Sequence, residues 1–248
     1  MSGIGTGYDL STSTFSPDGR VFQTDYAQKA VDNSGTVVGI VCNDGVVLGV
    51  EKPIVSKMLV EGSNRRAYAV DRHAGVAVAG VAADGRQIVN RAVQEAVSYK
   101  NLYGDAIPGR VLADRLASYV HLFSLYWYSR PYGTASLLAV YDDDGPQLYL
   151  IEPSGAGHRF FGTAVGKGRQ AAKTEIERLK LHEISCEQGI NEVAKILHSV
   201  HDEEKPFEME LAWICEASGR EFKRVPAELA AAAERQAKAA LADSDMED

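Results

Sequence analysis

The chain has 248 residues, 45% hydrophobic and 24% charged, which is the composition of a folded globular protein and excludes a disordered or fibrous one. Thirty-four acidic residues against 26 basic ones give a formal net charge of −8, which disfavours a long phosphate-contacting surface and so excludes nucleic acid as the main partner. Cys42, Cys186 and Cys215 form an odd set without CxxC spacing, so neither a disulfide framework nor a zinc ribbon is indicated, and a reducing compartment is expected.

The N-terminal MSGIGTGYDLSTSTF lacks the basic-then-apolar order of a secretory signal. Residues 1–14 are rich in Gly, Ser and Thr and are expected to be mobile. Ser16-Pro17 then reads as an N-cap before a proline, and Val21, Phe22, Ala27, Ala30 and Val31 recur near helical spacing, which predicts a helix over 20–32 that stops at Asn33-Ser34-Gly35. Strands are expected over 36–42 and 46–51, joined at Asn43-Asp44-Gly45, and over 67–70 and 75–81, with all four in one antiparallel sheet. TVVGIV and GVAVAGV are nearly continuous apolar runs, as strands buried on both faces require. Helical patterns cover 84–101 and 111–128. The longest apolar-looking stretch, 116–129, is only 14 residues long, short of the roughly 20 that span a bilayer, so no membrane insertion is expected.

A second strand group is expected over 136–141, 147–152 and 158–161, followed by helices over 168–181 and 187–202, a strand over 208–216 and a helix over 227–241. Two sheets, each needing cover from helices, are satisfied by a four-layer αββα sandwich. The expected organisation is a flexible tail over 1–14, a turn and helix extension over 15–35, one α+β sandwich domain over 36–241 and an acidic disordered tail over 242–248.

The run Phe15-Ser16-Pro17-Asp18-Gly19-Arg20-Val21-Phe22-Gln23, followed by Tyr26-Ala27, resembles the signature of proteasome alpha-type subunits. Further matches extend along the body at Tyr8-Asp9, Thr36 to Ile40, Asp71-Arg72-His73, Arg130-Pro131-Tyr132-Gly133 and Gly166 to Ala172. The resemblance implies the αββα fold of the N-terminal-nucleophile hydrolase superfamily. It also implies a place in a seven-membered outer ring of the 20S core, between two alpha neighbours, against beta subunits and within reach of activator particles. Cytoplasm and nucleus are the implied compartments and ubiquitin-dependent degradation the implied process. No cofactor is implied.

Beta subunits of this family cut peptides with an N-terminal threonine whose own amine is the base. Here the nucleophile position aligns near Gly35, which has no hydroxyl. Thr36 has an amide in place of a free amine, Glu51 stands where beta subunits carry aspartate, and Arg66 where they carry lysine. A guanidinium stays protonated and cannot accept a proton as that lysine does. No peptidase activity is expected; the alternative, an active threonine-type hydrolase, would need processing that exposes a nucleophile.

The resemblance further implies that Tyr8 and Asp9 belong to a gate, that Phe15, Pro17, Gly19, Arg20, Phe22, Gln23 and Tyr26 contact the next subunit, and that Arg66 lies where alpha subunits receive an activator's C-terminal carboxylate. Arg66 also reads as an ordinary surface arginine. Ser244 precedes Asp245, Met246 and Glu247, a context that suits an acidophilic kinase or simply a solvating tail. His198 and His201, with Asp202 and Glu203 following, have a spacing that could hold a metal, although surface or core histidines explain them better and no metal is expected. Gly166-Lys167-Gly168-Arg169 lacks the GxxxxGK[ST] pattern and reads as a glycine-rich helix entry. The aromatic group Tyr119, Phe123, Tyr126, Trp127 and Tyr128 is expected in the core and at a subunit interface.

Overall fold

Apolar runs and turn residues place most elements within two residues of their expected bounds. The computed structural model describes residues 7–60, 62–202 and 205–244, the side chains of 243 and 244 excepted. Among the described residues the order is α1 (Phe22–Asp32), β1 (Val37–Cys42), β2 (Gly45–Pro53), β3 (Ala67–Asp71), β4 (Ala74–Gly80), α2 (Ala82–Tyr103), α3 (Gly109–Leu122), β5 (Thr134–Asp142), β6 (Gly145–Ile151), β7 (Gly157–Phe160), β8 (Gly162–Val165), α4 (Arg169–Arg178), α5 (Cys186–Val200), β9 (Phe207–Cys215), β10 (Lys223–Arg224) and α6 (Ala227–Ser244). No helix among the described residues is long and apolar enough to cross a membrane.

The strands form two antiparallel five-stranded sheets, β10-β9-β2-β1-β8 and β3-β4-β5-β6-β7. The expectation that the first four strands share a sheet is therefore wrong. β2 is paired along its length with β1 on one side and β9 on the other, which leaves no edge for β3, and the 54–66 connection carries the chain to the second sheet. The expected strand over 158–161 is likewise two. β7 ends one sheet, β8 ends the other, and the exposed Phe161 sits at the crossing.

Gly45 is required for a reason other than a left-handed turn. A Cβ there would stand 2.3 Å from the Ile214 carbonyl oxygen, so the side-chain-free residue lets β9 close on the hairpin. Between the sheets, Leu48, Leu137 and Leu148 are fully buried, and Val31 of α1 plugs the same layer. On one outer face Ile88 and Ala92 of α2 and Leu112 and Leu116 of α3 pack on Val76 and Leu138. On the other, Ile190, Val193 and Leu197 of α5 cover Val38, Val47 and Leu211, with α6 packed behind through Ala233 and Ala237. The αββα order is as expected from sequence.

Besides α4, which ends at Arg178 and not at 181, three boundaries differ from expectation. Ser16 does not cap α1; its hydroxyl accepts the Arg20 amide within a 16–20 turn, and Val21 holds the N-cap position without a side-chain bond. α3 ends at Leu122 instead of 128, because the Ser124 hydroxyl donates to the His121 carbonyl and that of Ser129 to the Phe123 and Tyr126 carbonyls, an alternative to the helical ladder. α6 runs to Ser244, since its alanine-rich sequence favours helix, so 242–244, expected in the acidic tail, continue the helix. Asp245, Glu247 and Asp248, the side chain of Ser244, and the metal candidate Glu203 lie outside the described residues.

Asp84, in the first turn of α2, fixes the turn before β5. Its carboxylate receives two bonds from the Arg130 guanidinium, at 2.6 and 2.8 Å, and the Gly133 amide at 2.9 Å. The Arg130 bonds, helped by the Gly133 amide and opposed by burial, hold the carboxyl below its usual range. A depressed folded pKa contributes stability above the unfolded value, about 3.9, and loses it as pH falls through the folded one. Asp84→Asn is expected to cost about 1–2 kcal/mol at pH 7, reduced by the exposure of Arg130, with the difference shrinking below about pH 4; thermal unfolding across pH measures this.

Candidate functional site

At the start of β1, the position aligned with a catalytic threonine is closed by backbone. A Cβ on Gly35 would stand 2.2 Å from the Glu51 carbonyl oxygen. The Thr36 amide donates to Glu51 Oε2 at 2.8 Å, and its hydroxyl, on a fully buried residue, accepts the Gly168 amide at 3.1 Å. Glu51 Oε1 lies 2.6 Å from His201 Nδ1, and His201 Nε2 meets the Lys205 carbonyl. The groups that would run nucleophilic chemistry are consumed in holding β1, β2 and the end of α5 together. Among the described residues, no free amine, unbound hydroxyl and proton acceptor stand together here.

Arg66, just before β3, bonds to β4 and β9. Its guanidinium donates to the Gly80 carbonyl at 2.8 Å and its amide to Glu210 Oε2 at 2.9 Å. Burial lowers the guanidinium pKa, against the opposing pull of Tyr68 and Glu210, but an arginine remains charged. Arg66, Ser34, Gly35, Glu51 and Gly80 share a cleft of about 20 Å³, room for one water and not for a scissile peptide. A second cleft of about 390 Å³ opens on the other side of Gly35 and Thr36, lined by Asn33, Pro53, Lys167, Val200 and Lys205 among others. The structure thus brings Gly35, Glu51 and Arg66 together, as the sequence alignment required.

Sequence reasoning missed Lys52 and its partners. The Lys52 side chain is 2% exposed, with Nζ 2.8 Å from Glu208 and 3.6 Å from Glu210, and Arg224 also reaches Glu210 at 3.1 Å. The signal was present: Glu51-Lys52 breaks an otherwise apolar strand, and Glu208 and Glu210 alternate on its partner.

The N-terminal arm lies on its own helix. The Tyr26 hydroxyl donates to Asp9 Oδ2 at 3.1 Å, and the Gln23 side-chain amide donates to the Asp9 carbonyl. Partial desolvation, and then Asp9, push the Tyr26 hydroxyl pKa up, so it stays a donor. Of the residues expected to meet a neighbour, Phe15, Pro17, Gly19, Arg20 and Tyr26 are exposed, whereas Phe22 is buried in its own chain, where it packs on Tyr26. Gln23 and Tyr26 are engaged with Asp9, and Arg20 is paired with Asp25. Tyr8 is exposed.

α5 ends at Val200, so His198 and His201 do not share a helical face. Instead both rings pack on Phe207, and the described residues hold no metal-ligating cluster. The aromatic group divides: Tyr119 and Phe123 pack with Tyr132, while Tyr126, Trp127 and Tyr128 stay exposed.

The family model for proteasome subunits matches residues 31–214, and the model for the N-terminal signature of the A-type proteasome subunits matches residues 8–30. The chain belongs to the alpha-type proteasome subunits. A protein of Oryza sativa subsp. japonica named proteasome subunit alpha type-3 is 63% identical over the whole of both chains, and one of the same name from Arabidopsis thaliana is 62% identical over the same extent. A third, from Acanthamoeba castellanii, is 57% identical over 98% of this chain and 97% of its own. Membership on the alpha-type side accords with the blocked site at Gly35 and Thr36: this is a non-catalytic subunit of the 20S core, which it forms with other alpha and beta subunits.

Proposed function

We propose that this subunit supplies one share of the gate that controls substrate entry and one docking position for an activator, in ubiquitin-dependent protein degradation in the cytoplasm and nucleus. The arm carries the first part of this reading. Residues 7–11 stand outside the sandwich, and the described bonds from them to the body are those of Asp9 to α1. Bonds of that kind, one exposed and one part-buried, lie outside the core and can be exchanged for bonds to a neighbouring arm. The second part is supported by the cleft of about 390 Å³ beside Gly35, which has the volume to take a short chain end and carries Lys167 and Lys205, cations that suit a carboxylate, while Arg66 lines the smaller cleft that also borders Gly35.

Deleting residues 2–10 in the assembled, unactivated particle is expected to raise hydrolysis of a short fluorogenic peptide. Residues 7–10 add nothing to the sandwich core, so assembly should persist. Basal hydrolysis that stays at the wild-type level in a correctly assembled particle would remove this subunit's share in the gate.

A further inference from the structure

We propose that Thr12 is the pivot of the N-terminal arm, a positioning residue that fixes where the arm leaves the body; this rests on the gating reading above. Its neighbours face water, Leu10 being 89% exposed and Phe15 68%, yet Thr12 is 3% exposed. The Thr12 Oγ1 donates to the Tyr126 carbonyl at 2.7 Å, with the Ser129 carbonyl at 3.5 Å.

The receiving turn is itself held. Ser129 Oγ donates to the Phe123 and Tyr126 carbonyls at 2.8 and 2.9 Å, and the next residue, Arg130, is clamped by Asp84 at the start of α2. Thr12 is therefore fastened to the body through a hydrogen-bonded turn. Outboard of it the described attachments to the body are the Asp9 bonds to α1, one exposed and one part-buried, and an exposed bond between the Ser11 and Ser13 hydroxyls spans Thr12 itself. An attachment made by a buried residue at Thr12, and outboard of it attachments made by the more exposed Asp9, define a hinge. Each residue that slips past the pin adds about 3.3 Å of reach to the arm, which is enough to misplace its tip among neighbours.

The hydroxyl is the group that matters, and valine replaces it with a methyl of nearly the same shape. In the assembled particle without activator, Thr12→Val is expected to produce most of the rise in peptide hydrolysis that deletion of 2–10 produces, while Thr12→Ser, which keeps the donor, remains close to wild type. Amide hydrogen exchange over residues 7–14 should be faster in the valine variant. Native mass spectrometry verifies incorporation, and Thr12→Ala repeats the test if valine is not incorporated. If deletion opens the particle but Thr12→Val leaves both hydrolysis and exchange unchanged, the pivot is wrong and the gate stands. Should deletion have no effect, the gating reading fails, and with it the positioning role, whatever the exchange rates show.

Discussion

Placing a threonine at Gly35 is expected to yield a destabilised chain and no peptidase. The new Cβ would sit 2.2 Å from the Glu51 carbonyl oxygen and 3.0 Å from Pro53 Cδ. That carbonyl belongs to β2, whose neighbouring Glu51 amide is bonded to the Thr36 carbonyl at 2.8 Å, so the strand cannot retreat without opening its own ladder. Overpacking against backbone of this kind costs about 3 kcal/mol or more. For a protein of this size that lowers the midpoint of thermal unfolding by roughly 6–12 °C. The introduced hydroxyl would still lack a free amine beside it, so hydrolysis of fluorogenic peptides should not rise. A wild-type midpoint, or inhibitor-sensitive hydrolysis by the purified variant, would contradict the blocked-site reading.

Glu210→Ala should be comparably severe. One carboxylate accepts the Arg66 amide, faces Lys52 Nζ and receives the Arg224 guanidinium, while its own side chain is only 5% exposed. Truncation leaves Lys52, 2% exposed, with Glu208 alone, and it strands a backbone donor at Arg66. Removing one member of a buried charged group costs about 3–5 kcal/mol, because the remaining charge keeps its desolvation penalty. Denaturant unfolding measures the loss. Glu210→Gln retains the shape and an acceptor for the Arg66 amide, and should recover part of it. Equal losses for alanine and glutamine would assign the effect to charge alone.

Local signals in the sequence were strong enough for most elements and for the blocked site. Asn43-Asp44-Gly45 marks the first hairpin, the apolar run of β4 marks a doubly covered strand, and the absence of a hydroxyl at Gly35 is visible without coordinates. What escaped depends on partners distant in the chain. The partition of β1 to β4 between two sheets is decided by β9, more than 150 residues after β2. Lys52 looks like a surface lysine until Glu208 and Glu210 are set against it. Thr12, in a run of serines and threonines, has the composition of a loose tail, and only the carbonyls of a turn more than 110 residues away make it an anchor. Phe22 reads as an interface residue from its place in the signature, and its burial within its own chain shows only in the fold.

The pairing of β2 with β9 also sets the order in which the molecule can be made. Gly45 to Pro53 emerge early in synthesis, but their partners, Phe207 to Cys215, follow more than 150 residues later. Until then the apolar edge of β2 is an unpaired template, and contacts of such long sequence separation form slowly. A chain released before Phe207 would expose that edge permanently, leaving a species prone to aggregate and not a shortened subunit.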